Sequence, residues 1–208
     1  MIRGGLKLVW HLAAVIGITA IALVAWLWMQ GITTRTPPGP LETSVSRMAR
    51  LTMIPSAARQ RPSSEPATAD NLRSGLEHWA DHCASCHANN GSGETEMGRG
   101  MYPPAPDMRL AATQDMTDGE LFYIIENGVK LTGMPAWGTA TPDGEQASWH
   151  LVQFIRRLPT ISEAELAEME EFNPRGPAEW QALEQERRFL AGEGLTPPAP
   201  STHKHKER

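Results

Sequence analysis

The chain has 208 residues, a net charge of −5, 17 prolines, 18 glycines and two cysteines, a composition that implies much irregular chain. Its charge is uneven: residues 1–70 carry seven basic against three acidic side chains, residues 71–160 six against eleven, and residues 161–192 three against eight. An anionic body on a cationic stem argues against nucleic acid as a partner.

Leu8 to Met29 is an uncharged apolar run. As a helix rising ~1.5 Å per residue it would cross a hydrocarbon core of roughly 30 Å. Trp10 near one end, with Trp26 and Trp28 near the other, resembles interfacial belts. A secretory leader would have a shorter apolar region ending in an A-x-A-like site. Trp-Leu-Trp-Met-Gln is not one, so residues 1–29 read as an uncleaved transmembrane anchor. His11 reads as an interfacial residue. Charge does not orient the span, because Arg3 and Lys7 precede it while Arg35, Arg47 and Arg50 follow.

Residues 30–69 read as a Pro-rich linker. As a coil it would let a tethered head swing over ~35 Å. Leu41, Val45 and Met48 share one short helical face with Arg47 and Arg50 beside it; a solvated piece is the preferred reading, and one resting on anionic headgroups the alternative. Asp70 is then a candidate N-cap. Leu72, Leu76 and Trp79 follow at helical spacing, and the same stripe continues into Cys83 and Cys86. Gly75 would allow another helix to approach closely.

That stripe ends in Cys83-Ala84-Ser85-Cys86-His87, which is C-x-x-C-H, the haem attachment signature. Two thiols on one helical turn can each add to a haem vinyl group, and the next imidazole is placed under the iron. A zinc site would need two more ligands, and crowding His78 and His82 into the same ten residues is poor geometry. A redox C-x-x-C belongs after a strand, and no strand-like alternation occurs here.

Residues 88–116 have no sustained period and form a long loop able to wrap a haem. Thr117 and Glu120 make a capping box for a short helix ending at Asn127-Gly128. Gly133-Met134-Pro135 follows: the glycine leaves room near a ring and the proline limits motion, so Met134 is favoured as a sixth ligand over Met97, Met101, Met108 and Met116. Asp143 with Gln146 opens a helix whose buried face is Trp149, Val152, Ile155 and Leu158. Ser162 with Glu165 caps another helix, and Gly176-Pro177 starts the last. These two acidic helices, 161–192, are expected to pack back on the preceding domain. The tail, 193–208, reads as flexible; His203 and His205 would bind copper only weakly.

In order and separation these features resemble a class I cytochrome c over residues 70–160. The resemblance implies an all-α class I fold around one covalent haem c, with an N-terminal transmembrane helix and a C-terminal helical extension. It implies iron ligation by His87 and Met134, a crossing of first and last helices near Gly75 and Trp149, and a proline carbonyl from Pro103 or Pro104 on the proximal imidazole. Trp137 would donate to a propionate, and Tyr102 belongs to the loop expected at the cofactor. The expected function is electron transfer rather than catalysis, on the periplasmic side, because covalent haem attachment resembles an extracytoplasmic process. The alternatives are a haem subunit of a larger respiratory oxidoreductase complex, or a haem sensor or enzyme with an open iron. The haem edge would be rimmed by Ala84, Ser85, Ala88, Pro135 and Ala136. Acidic residues farther out, among them Glu77, Asp81, Glu94, Glu96 and Asp107, imply a redox partner with a basic docking face.

Overall fold

The computed structural model describes residues 2–31 and 33–192, and among these the protein is all-helical, without a strand. The tail with His203 and His205 lies outside the described residues. The first helix, α1 (Ile2–Gln30), carries the stretch Trp10–Met29, which is long and apolar enough to cross a membrane. Its side chains there are exposed.

A helical core follows. Helix α4 (Ala69–His78) runs into a π-helical turn, Trp79–Cys83, and then into the short α5 (Ala84–His87). Thr68, not Asp70, caps α4: its side chain accepts from the Asn71 backbone N–H, and Asp70 sits in the first turn where its charge suits the helix dipole. Helices α6 (Glu96–Gly100) and α7 (Ala111–Gln114) punctuate the long loop. Helix α8 (Asp118–Asn127) opens on the expected Thr117–Glu120 capping box. Helix α9 (Pro142–Arg157) is capped by Thr141 with Pro142 in its first turn, rather than by Asp143.

Helices α4 and α9 form the main packing contact, which Gly75 makes possible. A Cβ there would collide with the His150 carbonyl and come within 2.9 Å of the Phe154 Cβ. The aromatic residue at this crossing is Phe154, with the Trp79 ring 5.8 Å away, and not the expected Trp149. Trp149 faces α8 instead, stacked on Phe122 at 4.2 Å. The two positions lie five residues apart, about 140° around a helix, so they serve different neighbours. Arg156 bonds Asp118, the Gln114 carbonyl and the Met116 carbonyl, tying α9 to α7 and α8.

The coil expected over 30–69 is not what forms. Helix α2 spans Pro40–Met53 and α3 spans Ser56–Arg59. From Ile54, which is buried, the chain lies against the core. The Thr117 hydroxyl donates to the Arg59 carbonyl, Arg59 pairs with Glu120 at 3.7 Å, and Arg61 pairs with Glu145. Arg61 also covers the Phe122 ring, 4.5 Å from its centroid. Gln153 donates to Ser63 and to the Glu65 carbonyl.

The expected packing of the acidic extension holds for one helix only. Helix α10 (Glu163–Phe172), opened by its Ser162–Glu165 capping box, buries Met169 completely. Helix α11 (Pro177–Leu190) buries no residue and exposes Trp180 and Leu190.

Candidate functional site

The π-helical turn delivers Cys83 to the inner side of the chain just before α5. Cys83 is partly exposed as a residue, but its thiol lies deep, and burial, with Cys86 adding to it, pushes its pKa up to about 12. Burial raises Cys86 as well. Both cysteines are free. A redox or zinc-binding cysteine pair needs the opposite, a thiol pKa lowered by positive surroundings. These thiols suit consumption in thioethers, which carry no proton.

His87 ends α5 with its ring 5.7 Å from Trp79. Burial lowers its pKa, and the Pro106 carbonyl set against the ring pulls it back up. Nδ1 is buried and has no well-formed hydrogen bond, an orphan that a charge-drawing ligand on Nε2 and a tightened contact to Pro106 would satisfy. The carbonyl set against the ring is that of Pro106, where Pro103 or Pro104 was expected.

The carbonyls at the end of the motif are held by Trp79 and by the wrapping loop. Trp79 Nε1 donates to the Ala88 carbonyl at 3.1 Å, Gly93 N to His87 at 2.9 Å, and the Thr95 hydroxyl to Cys86 at 3.0 Å. Close approach explains Gly98, since a Cβ there would strike the Cys86 carbonyl. Ala88 takes φ +61°, a left-handed turn that sends the chain away from α5.

Met134 is half-buried on a tight loop after α8. Its carbonyl accepts from Val129 N, its N–H donates to the Thr132 hydroxyl, and Trp137 N bonds back to the Ile125 carbonyl. The Trp137 ring stands edge-on to His82, 5.3 Å away, so this loop reaches the residue before Cys83. A Cβ on Gly133 would meet the Met101 side chain, so a second thioether lies beside the Met134 loop. Sequence reasoning gave Met101 no special place, because nothing local distinguishes one loop methionine from another.

Three of the expected residues are placed as follows. Tyr102, in the loop expected at the cofactor, is exposed, and its hydroxyl donates to Glu42 of α2 at 2.6 Å, which raises its pKa. Pro104 is half-buried in the wrapping loop while Pro106 acts on His87. Ala84, expected at the rim, is buried in the core, whereas Ser85, Pro135 and Ala136 are exposed. Beside the motif, His78, His82, His150 and Phe172 line an open groove of about 570 Å³. Burial, with His82 and His150, lowers the His78 pKa against an opposing pull from Asp81. No group of three or more ligating side chains suited to a metal ion occurs among the described residues.

The family described as "Cytochrome C oxidase, cbb3-type, subunit III" matches residues 70–155. No curated protein matches the chain. The matched segment begins in α4 and ends in α9, and so takes in the motif, the wrapping loop and the Met134 loop. Residues 70–155 are thus a c-type cytochrome domain of class I.

Proposed function

We propose that this protein is a membrane-tethered monohaem cytochrome c that passes electrons between redox partners on the extracytoplasmic side of a membrane. The observation that carries the reading is Cys83-Ala84-Ser85-Cys86-His87 at the end of the π-helical turn: two unpaired thiols of raised pKa, that of Cys83 deep, and an imidazole whose Nδ1 is buried and orphaned. Cys83 and Cys86 would hold one haem c, His87 would be its proximal ligand and Met134 its distal one. When bound, that group supplies an iron that changes between ferric and ferrous with little rearrangement, at a potential raised by a thioether ligand.

The chain's own residues set the conditions. The Pro106 carbonyl stands where it would orient the His87 ring, and the bonds through Val129 and Thr132 hold the Met134 backbone. The cytochrome domain runs over 70–160, and the docked residues 54–66 extend it. Trp137, beside His82, stays a candidate for the propionate side. No catalytic residue is proposed.

A partner with a basic docking face fits the net charge of −5. The field is weaker than the sequence alone suggests. Glu77 pairs with Arg73, Glu94 with Arg99 and Asp107 with Arg109. A second reading, a haem subunit of a larger oxidoreductase complex, is favoured by the exposed Trp180 and Leu190 of α11 and by the oxidase subunit named in the family's description. Co-purification in mild detergent would reveal it.

Two variants test the reading. Cys83→Ala with Cys86→Ala should leave no haem bound after denaturing electrophoresis. Met134→Ala should lower the potential, remove the near-infrared sulfur-to-iron band and open the ferrous form to carbon monoxide. An unchanged ferric spectrum would mean that another side chain holds the sixth position.

A further inference from the structure

We infer that α2 is a membrane-surface helix whose apolar face rests in the headgroup region of the same bilayer that α1 crosses, fixing how the cytochrome domain stands over the membrane. The inference deepens the tether reading and rests on it.

Helix α2 has two opposite faces. Toward the protein it presents Thr43, Arg50 and, just past its end, Ile54, which is 3 % exposed; Leu51 touches the core beside them. On the far side Leu41, Val45 and Met48 are 78 %, 55 % and 65 % exposed. At 100° per residue these three fall within about 60° of one another. Ser44 and Thr52 are the polar residues among them, and both hydroxyls donate to α2's own carbonyls, of Pro40 and Met48. That face can leave water with no unpaired donor.

The bilayer is the occupant within reach. Nine residues, 31–39, separate α1 from α2, a span of at most about 30 Å when fully extended. Arg35 and Arg47 are exposed and Glu42 is the one acidic residue of 31–53, an excess of positive charge that anionic headgroups attract. An amphipathic helix with these properties lies in the interface plane with its apolar side sunk ~5–10 Å.

The helix is also tied to the domain, through Leu51 and Ile54 at its end and through one bond near its start. Glu42 accepts from Tyr102 at 2.6 Å, and the neighbouring Met101 packs on Gly133. Seating α2 on lipid therefore turns a defined side of the domain, the side next to the Met134 loop, toward the membrane. The partner this orientation favours is a redox protein embedded in the membrane, not one diffusing past it.

The test uses the full-length haem-loaded protein in phosphatidylcholine–phosphatidylglycerol vesicles. Nitroxide labels are placed singly at Leu41→Cys, Val45→Cys, Met48→Cys and, on the solvent flank, Ser46→Cys. Labels at 41, 45 and 48 should collide with oxygen and be shielded from a water-soluble nickel chelate, and the label at 46 should show the reverse. Aqueous behaviour at all four positions overturns the inference, as does spin–spin broadening at 41, 45 and 48, which would mean a second copy covers the face. Flotation separates the two readings: protein that floats but shows aqueous labels removes the inference alone, and protein that does not float removes the tether and the inference with it.

Discussion

Gly75→Ala should destabilise the protein, although alanine is the better helix former. In an exposed helix the change would gain about 1 kcal/mol. At the crossing of α4 and α9 the added methyl collides with the His150 carbonyl and meets the Phe154 Cβ at 2.9 Å. Neither is the far end of a flexible side chain, so the two helices must separate. Overpacking of this kind costs about 1–3 kcal/mol. The separation also loosens Leu76, Trp79 and Phe154, all buried, so the upper end applies. The net loss is then about 1–2 kcal/mol, and Gly75→Val should lose more. With a urea slope of about 1–2 kcal/mol per molar, the midpoint should fall by roughly 1 M. Circular dichroism of the haem-loaded protein in detergent would measure it. Gly100→Ala is the control, since open space surrounds that glycine and no loss is expected. A Gly75→Ala midpoint at or above wild type would refute the steric account of the crossing.

Three further outcomes are expected. Glu165 is held at about 2, against an ordinary 4.5, first by Arg157 and then by Ser162. Its folded pKa is depressed, so its contribution is complete above 4.5 and is lost as the pH falls toward 2. Solvent screening leaves about 1 kcal/mol, so the stability gap between wild type and Glu165→Gln should be present at neutral pH and close across that window. Thr117→Ala removes both a helix cap and the bond to the Arg59 carbonyl, and should cost about 1 kcal/mol while speeding tryptic cleavage after Arg59. Trp79→Phe loses the bond to the Ala88 carbonyl and should lower stability by about 1–2 kcal/mol in the same urea assay.

What could be read beforehand was local. C-x-x-C-H and the Thr117–Glu120 and Ser162–Glu165 capping boxes each involve residues within five positions, and each is present as read. Thr68 and Thr141 were passed over for Asp70 and Asp143 because an acidic residue in the first turn and an N-cap look alike in sequence. Only backbone geometry separates an oxygen that accepts from N3 from one that meets the helix dipole. Trp149 and Phe154 share the buried stripe of α9, and periodicity cannot say which of them faces α4. Prolines 103, 104 and 106 offer three carbonyls, and the turn of the loop chooses the last. The docking of 54–66 was hidden for a different reason. It rests on Arg59, Arg61 and Gln153, polar residues whose partners are distant in sequence, and polar long-range pairing leaves no periodic trace.

That docking changes the physics of the tether. A coil of forty residues would hold its head at an r.m.s. distance of ~35 Å, loosely and in any orientation. With α2 formed and residues 54–66 fixed to the core, the free joint shrinks to residues 31–39, where the same scaling gives only ~16 Å. Pro37, Pro38 and Gly39 stand at its far end, the prolines stiff, so the reach is short and directed. A short tether concentrates the domain near the membrane and penalises partners that approach from bulk solution. It also reduces what charge must do. Glu77, Glu94 and Asp107 are already paired within the chain, so their fields are partly neutralised before any partner arrives. On the proposed function, encounter would then be set mainly by shared confinement to one surface, and the small exposed residues Ser85, Pro135 and Ala136 would allow close apolar approach once the partners met.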